Sequence, residues 1–146
     1  MVSPLKLCML SGSFEYDSES SLQVFDMHVR DEYGMETTTV VFSTEDDEQS
    51  LAALDDADVL LLFSRRLNTS GAEMDRLQKY CAAGRPVVGV RTASHGFQNW
   101  LAFDKDVLGG NYNMHFKPGP AVTVEIAHEA EIPLYERLRQ RVRVRV

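Results

Sequence analysis

The sequence predicts an α/β fold, with a doubly wound parallel β-sheet between two layers of helices. Apolar stretches typical of buried strands alternate with amphipathic stretches that begin at helix-capping residues. The third apolar stretch, residues 59–63, contains no polar residue, which is typical of a central strand. With right-handed crossovers, the simplest strand order is 2-1-3-4.

The first half of the chain follows this alternation closely. Residues 5–10 and 37–42 are the predicted first and second strands. Asp17 and Ser18 can cap the helix between them, and Gly34 closes it. The residues at helical spacing, which should form its buried face, are Leu22, Phe25, Val29 and Tyr33.

The connection to the next helix also has a clear pattern. The acidic run 45–48 precedes a short predicted helix that carries Leu51 and Leu54, and acids suit a helix N-terminus. After the third strand, Ser70 and Glu73 have the spacing of a capping box. The buried face of that helix is predicted to be Met74, Leu77 and Cys81.

The fourth predicted strand, residues 86–90, is the one that points most directly to function. Its valines are β-branched and suit a strand covered on both faces. The strand runs into a polar turn that contains Arg91, Thr92, Ser94 and His95. Ligands of open parallel sheets lie beyond the carboxyl ends of the strands, so this turn is a candidate site.

After the fourth strand the pattern weakens. A short amphipathic helix is predicted over 97–103, a loop over 109–113 and a further strand over 121–127. The alternating Arg-Val tail, 137–146, fits an edge strand, a disordered tail and an expression artefact equally well.

Composition limits the classes of function. The 146 residues suffice for one domain, and no apolar run approaches the ~20 residues of a membrane span. The net charge of −7 argues against a nucleic-acid partner. No signal peptide is evident, which predicts a cytoplasmic protein, or a secreted or periplasmic one if a signal peptide was removed. Cys8 and Cys81 are expected to be reduced thiols, and their spacing matches no metal motif.

Three neighbouring strand ends should bring polar side chains together at one edge of the sheet. The first strand delivers Ser11, Ser13, Glu15 and Tyr16, and the third delivers Ser64, Arg65 and Arg66. An arginine directly after a buried strand, such as Arg91, needs an acidic partner or an anionic or polyhydroxylated ligand. The predicted ligand-binding residues are Ser11, Ser13, Glu15, Tyr16, Arg65, Arg91, Thr92, Trp100, Asn111 and Tyr112.

His95 and His115 are the candidate acid–base groups, because histidine titrates near neutral pH. Each has a simpler explanation as a histidine bonded to loop backbone. Likewise Arg65 and Arg66 fit solvated loop charges, and Trp100 fits core packing. No metal or cofactor is predicted.

One chemistry is excluded at the turn after the fourth strand. Residues 89–93 lie where a nucleophile elbow would have serine or cysteine at its centre, and here the centre is Arg91. Arginine cannot act as the nucleophile, so no glutaminase activity is expected.

Four blocks together resemble the ThuA-like (trehalose utilisation) family, which belongs to the class I glutamine amidotransferase-like superfamily. They are Leu-Ser-Gly-Ser-Phe-Glu-Tyr at 10–16, Leu-Leu-Phe-Ser-Arg-Arg at 61–66, Val-Gly-Val-Arg-Thr-Ala-Ser-His at 88–95 and Leu-Gly-Gly-Asn-Tyr-Asn-Met-His at 108–115. The resemblance implies a flavodoxin-like fold, a role in sugar metabolism and a pocket at the strand ends. Many relatives have histidine in place of Arg91. Related chains are also longer, which implies a shortened domain over 1–136.

Two functions compete at this point. One is a sugar-processing enzyme that acts on trehalose, a related glycoside or an oxidised glycoside. The other is a non-catalytic sugar-binding or scaffolding domain. Both have a sugar-like small molecule as partner, and a homo-oligomer is compatible with either. Convergence of Arg91, His95 and His115 in one pocket would favour the enzyme.

Overall fold

The computed structural model describes residues 3–114, which form a four-stranded parallel sheet with helices on both faces. The strands are β1 (Lys6–Gly12), β2 (Glu36–Val41), β3 (Val59–Ser64) and β4 (Val87–Gly89), in the order β2-β1-β3-β4. The two α-helices are α1 (Ser18–Tyr33) and α2 (Gly71–Ala82). The predicted α/β class and strand order are therefore confirmed, and the architecture is flavodoxin-like.

Short helical turns complete the fold. Three are of the 3₁₀ type, at Phe14–Tyr16, Ala52–Asp55 and Arg91–His95, and a π-helical turn spans Asp104–Leu108. The first and third of these directly follow β1 and β4. They therefore lie at the carboxyl edge of the sheet.

Alternate residues of the central strands face two separate cores. Leu7 and Met9 of β1 pack with Leu22 and Val29 of α1. The intervening Cys8 and Leu10 pack with residues of α2 and of the turn Ala52–Asp55, on the opposite face. This alternation is the period of two expected for a strand, and it produces the predicted three-layer arrangement.

Helix α1 begins and ends as predicted but buries a narrower face. The Asp17 carboxylate accepts a hydrogen bond from Ser20 N (3.4 Å), and Gly34 adopts a left-handed φ of +62°. Phe25 and Tyr33, predicted to be buried, are 38% and 54% exposed. The helix packs on β1 and β2, and only a stripe containing Leu22 and Val29 reaches the sheet.

The predicted capping box of α2 is wrong. Ser70 makes no side-chain cap, and the Glu73 carboxylate instead accepts a hydrogen bond from Leu51 N (2.6 Å) and pairs with Arg76. These partners lower the pKa of Glu73. Cys81, predicted to be buried, is half-buried against the core, and the neighbouring Tyr80 is buried more deeply. The Tyr80 hydroxyl donates to the Pro86 carbonyl (3.0 Å).

Strand β4 differs most from the prediction of a strand covered on both faces. It has three residues and pairs with β3 alone among the described strands. Val88 is 48% exposed. The prediction was wrong because β-branched residues suit edge and central strands alike.

The predicted helix over 97–103 is also replaced, by an isolated bridge and turns. Phe97 pairs with Leu67, next to the carboxyl end of β3, and Phe97 and Phe103 are buried while Leu101 is 75% exposed. His115, the predicted strand over 121–127 and the tail 137–146 lie outside the described residues. Within residues 3–114, the helices are too short or too polar to cross a membrane.

Candidate ligand site at the carboxyl edge of the sheet

The ends of β1, β3 and β4 lie side by side, as predicted from the parallel order. Arg65 N donates to the Gly12 carbonyl (3.0 Å), and Arg66 N donates to the His95 carbonyl (2.9 Å). Val90 N donates to the Leu62 carbonyl (2.9 Å). The polar residues that follow the three strands are thereby held in one region.

A buried network of hydroxyl groups joins these strand ends. Thr92 Oγ1 donates to the Ser64 carbonyl and therefore accepts from Ser13 Oγ, both at 2.9 Å. Ser18 Oγ accepts from Ser13 N and lies 2.9 Å from Ser11 Oγ. All these residues are buried, so the predicted ligand-binding residues Ser11, Ser13 and Thr92 hold the strand ends together. Contact between these hydroxyls and a ligand stays a prediction.

The Ser64 hydroxyl lies in the same region but outside the network. Ser64 is fully buried, and its Oγ has no hydrogen-bond partner among the described residues. A β-carbon built on Gly96 would lie 2.7 Å from this oxygen, which shows how tightly the glycine packs against it.

We expect Ser64→Ala to raise the free energy of unfolding by up to ~1 kcal/mol, because an unpaired buried hydroxyl is unfavourable by about 1–3 kcal/mol. Urea denaturation would measure the change. The matched control is Ser11→Ala, which loses a buried hydrogen bond and should be destabilising by about 0.5–1.5 kcal/mol. Equal destabilisation by the two variants would contradict the assignment of Ser64 as unpaired.

Above the hydroxyl network lies a more exposed layer of charged and aromatic side chains. The Arg91 guanidinium lies over the Tyr16 ring, 4.0 Å from its centroid. Arg65 Nη1 lies 3.2 Å from Glu15 Oε1. Since Glu15 and Tyr16 share one helical turn, the two pairs are adjacent. Four predicted ligand-binding residues therefore meet here.

The backbone at Arg91 is left-handed, with φ of +47°. This conformation is uncommon for a residue with a β-carbon, and it occurs at the strand-to-helix corner where a nucleophile elbow would lie. Arg91 is exposed. The expected burial of Arg91 is therefore wrong, and within residues 3–114 its guanidinium lies against an aromatic face rather than an acid. Contact between Arg91 and a ligand stays a prediction.

His95 ends the same turn and is covered by an aromatic ring. Its imidazole stacks on Tyr112, with centroids 4.5 Å apart and planes at 20°. His95 Nδ1 lies 3.1 Å from Ser94 Oγ. The predicted acid–base group thus lies at the other end of the turn that Arg91 begins.

Asp104 is a residue that the sequence analysis missed. Its buried carboxylate accepts a hydrogen bond from Tyr112 N (2.6 Å) and so fixes the ring that covers His95. A β-carbon at Gly110 would collide with that carboxylate. The sequence feature that could have indicated this contact is the Gly109-Gly110 pair, because a residue with a β-carbon at position 110 would not fit against Asp104.

The remaining predicted contacts are placed less favourably for a ligand. Trp100 is half-buried and packs edge-on against Phe103, with centroids 5.1 Å apart, which supports the packing explanation. Asn111 is exposed on the loop that precedes Tyr112.

The two thiols lie away from this edge. Cys8 is in the middle of β1 and Cys81 is in α2, and burial raises the pKa of each thiol to about 11. Both are therefore protonated at neutral pH. Among residues 3–114, no group of three or more His, Cys, Asp or Glu side chains could hold a metal ion.

The described residues also line cavities outside the candidate site. One of about 570 Å³ lies between the loops after β2 and β3, at the start of α2. Another of about 480 Å³ lies between α2 and the turn Ala52–Asp55. Neither is lined by Arg65, Arg91 or Tyr16, so the candidate site does not form part of either cavity.

The fold and the polar carboxyl edge define a parallel α/β protein of flavodoxin-like architecture. No family model, curated protein or solved structure matches the chain.

Proposed function

We propose that this protein binds a small polyhydroxylated ligand, a sugar or an oxidised sugar, at the carboxyl edge of its sheet. The observation that carries the proposal is the exposed Arg91 guanidinium, stacked on Tyr16 at a left-handed corner directly after β4. Strained backbone of this kind is common at binding and catalytic sites.

The chemistry of the exposed layer suits hydroxyl and carbonyl oxygens. Stacking uses the face of the Arg91 guanidinium, which leaves its N–H groups in the plane to donate to a ligand. Glu15 Oε1 pairs with Arg65, while the Glu15 side chain stays 55% exposed and can accept hydrogen bonds from sugar hydroxyls. Donors and acceptors are thus adjacent, as recognition of a sugar requires.

The resemblance to the ThuA-like family is the second support. The blocks at 10–16, 61–66 and 88–95 run into the ends of β1, β3 and β4, and the fourth block contains Tyr112. This second support comes from the four sequence blocks and from no other observation. It suggests trehalose or a related glycoside as the starting point for a search.

Two versions of this function differ in whether the ligand is transformed. In the enzymatic version, His95 moves the proton, and His115 is a second candidate. The non-catalytic version is favoured by the Tyr112 ring that covers His95. Turnover of an oxidised glycoside, lost in His95→Asn with binding kept, would decide for the enzyme. Both versions exclude glutaminase activity, because Arg91 occupies the elbow position.

We expect Arg91→Lys to weaken ligand binding by about 1–3 kcal/mol, because lysine keeps the charge but loses the planar fork of donors. Thermal-shift screening of sugars and keto-sugars would identify the ligand, and calorimetry would then measure the affinity of the variant. The melting temperature should change little, since Arg91 is exposed.

The matched control is Arg30→Lys, which alters an exposed arginine on α1, paired there with Asp26. It should leave the affinity unchanged. A lower melting temperature with intact affinity in Arg91→Lys would show that Arg91 is structural, and it would remove the main support for the site.

A further inference from the structure

Two arginines at the carboxyl edge differ from the others in the described chain. Arg30, Arg65 and Arg76 pair with carboxylates, and Arg85 donates to the carbonyls of Leu54, Asp55 and Ala57. Within residues 3–114, Arg66 and Arg91 have neither kind of partner, and both are exposed. Both guanidinium groups therefore have donors available for a ligand.

Arg66 and Arg91 also share an unusual backbone conformation, with positive φ. The non-glycine residues with positive φ in residues 3–114 are Asp17, Arg66 and Arg91, at +46°, +55° and +47°. Arg66 and Arg91 lie just beyond the ends of β3 and β4, whereas Asp17 follows the turn Phe14–Tyr16 and caps α1. Nothing in arginine favours this conformation, so its concentration at one edge points to a constraint imposed by function.

The two arginines are linked through the turn that follows β4. Arg66 N donates to the carbonyl of His95, the last residue of the turn that Arg91 begins. The two acids that follow β1 each have a partner. Glu15 pairs with Arg65, and Asp17 accepts from Ser20 N at the start of α1. The charged side chains that closely follow β1, β3 and β4 are Glu15, Asp17, Arg65, Arg66 and Arg91, so this set carries a net charge of +1, although the whole chain carries −7.

We propose that the ligand of this edge is an anionic sugar derivative, whose carboxylate or phosphate group is held by Arg66 and Arg91. The inference rests on the proposed function and narrows it to one substrate class. Guanidinium groups bind planar carboxylates and phosphates through paired N–H donors, which makes such contacts stronger than those to neutral hydroxyls. The Tyr16 ring and Glu15 would then contact the sugar portion.

The test compares neutral and anionic forms of the same sugar by calorimetry. The probes are glucose, glucuronate and glucose 6-phosphate, together with trehalose and trehalose 6-phosphate. We expect at least one anionic form to bind about tenfold or more tighter than its neutral parent, a difference of ~1.4 kcal/mol. The advantage should shrink at high salt, since exposed charges are screened. Comparing glucuronate with glucose 6-phosphate shows whether the site prefers a carboxylate or a phosphate group.

Single-arginine variants test which residues cause the preference for the anionic sugar. Arg66→Gln and Arg91→Gln should each reduce the preference for the anionic form, while Arg30→Gln on α1 should leave it intact. Equal affinity for neutral and anionic forms would overturn this inference and leave the proposed function standing. If no sugar binds, both fail. Binding of inorganic phosphate as tight as that of the sugar phosphates would overturn the inference, because the sugar would contribute nothing.

Discussion

Replacing Leu62 by alanine should lower the free energy of unfolding by about 2–5 kcal/mol, the range for truncating a buried leucine. Leu62 is fully buried in β3, between β1 and β4. It belongs to the larger core, on the α2 side of the sheet. Truncation leaves a cavity that the two neighbouring strands prevent from closing. Urea denaturation with an unchanged slope would measure the loss.

The control for Leu62 is Val88→Ala on the adjacent β4. Val88 is 48% exposed, so this variant should change the free energy of unfolding by only about 0.5 kcal/mol. A loss at Val88 comparable to that at Leu62 would contradict the exposed position of Val88 on β4.

The second large effect is expected at Thr92, where Thr92→Val should be destabilising by about 1–3 kcal/mol. The variant keeps the shape of the side chain but removes the hydroxyl that joins Ser13 Oγ to the Ser64 carbonyl. Both groups would stay buried without that partner, and the desolvation of unpaired polar groups is the source of the penalty. Thermal and urea unfolding would both report it.

The control Thr92→Ser keeps the hydroxyl and loses one methyl group, so it should retain most of the stability. If serine is as destabilising as valine, the hydrogen bonds of Thr92 are not what holds the strand ends together. Thr92→Val should also weaken any ligand bound at Arg91, since Thr92 anchors the turn that Arg91 begins.

The strand order was predictable because local patterns and general rules of chain connection are sufficient for it. A strand such as residues 59–63 shows its central position through its wholly apolar composition. Right-handed crossovers then leave few arrangements. Asp17 and Gly34 marked the ends of α1 because capping is decided by neighbours along the chain.

Burial was harder to predict, because it depends on which elements pack on each face. Helical spacing alone does not say how wide a face α1 presents to β1 and β2, so Phe25 and Tyr33 were assigned wrongly. Glu73 has the spacing of a capping box, yet tertiary contacts with Leu51 and Arg76 determine its position. The burial of Tyr80 and the exposure of Val88 on β4 likewise depend on packing that the local sequence does not specify.

The sequence by itself determined which residue types gather at the carboxyl edge, because parallel strands bring their carboxyl ends together. Glu15, Tyr16, Arg65 and Arg91 were found in this way. Only the tertiary structure decided which of the edge side chains are buried and which are exposed. In the structure, the hydroxyl groups form a buried hydrogen-bond network, and the Arg91 guanidinium lies over the Tyr16 ring. The Asp104 carboxylate accepts a hydrogen bond from Tyr112 N. These contacts depend on distances between segments far apart in the chain, which no local pattern specifies.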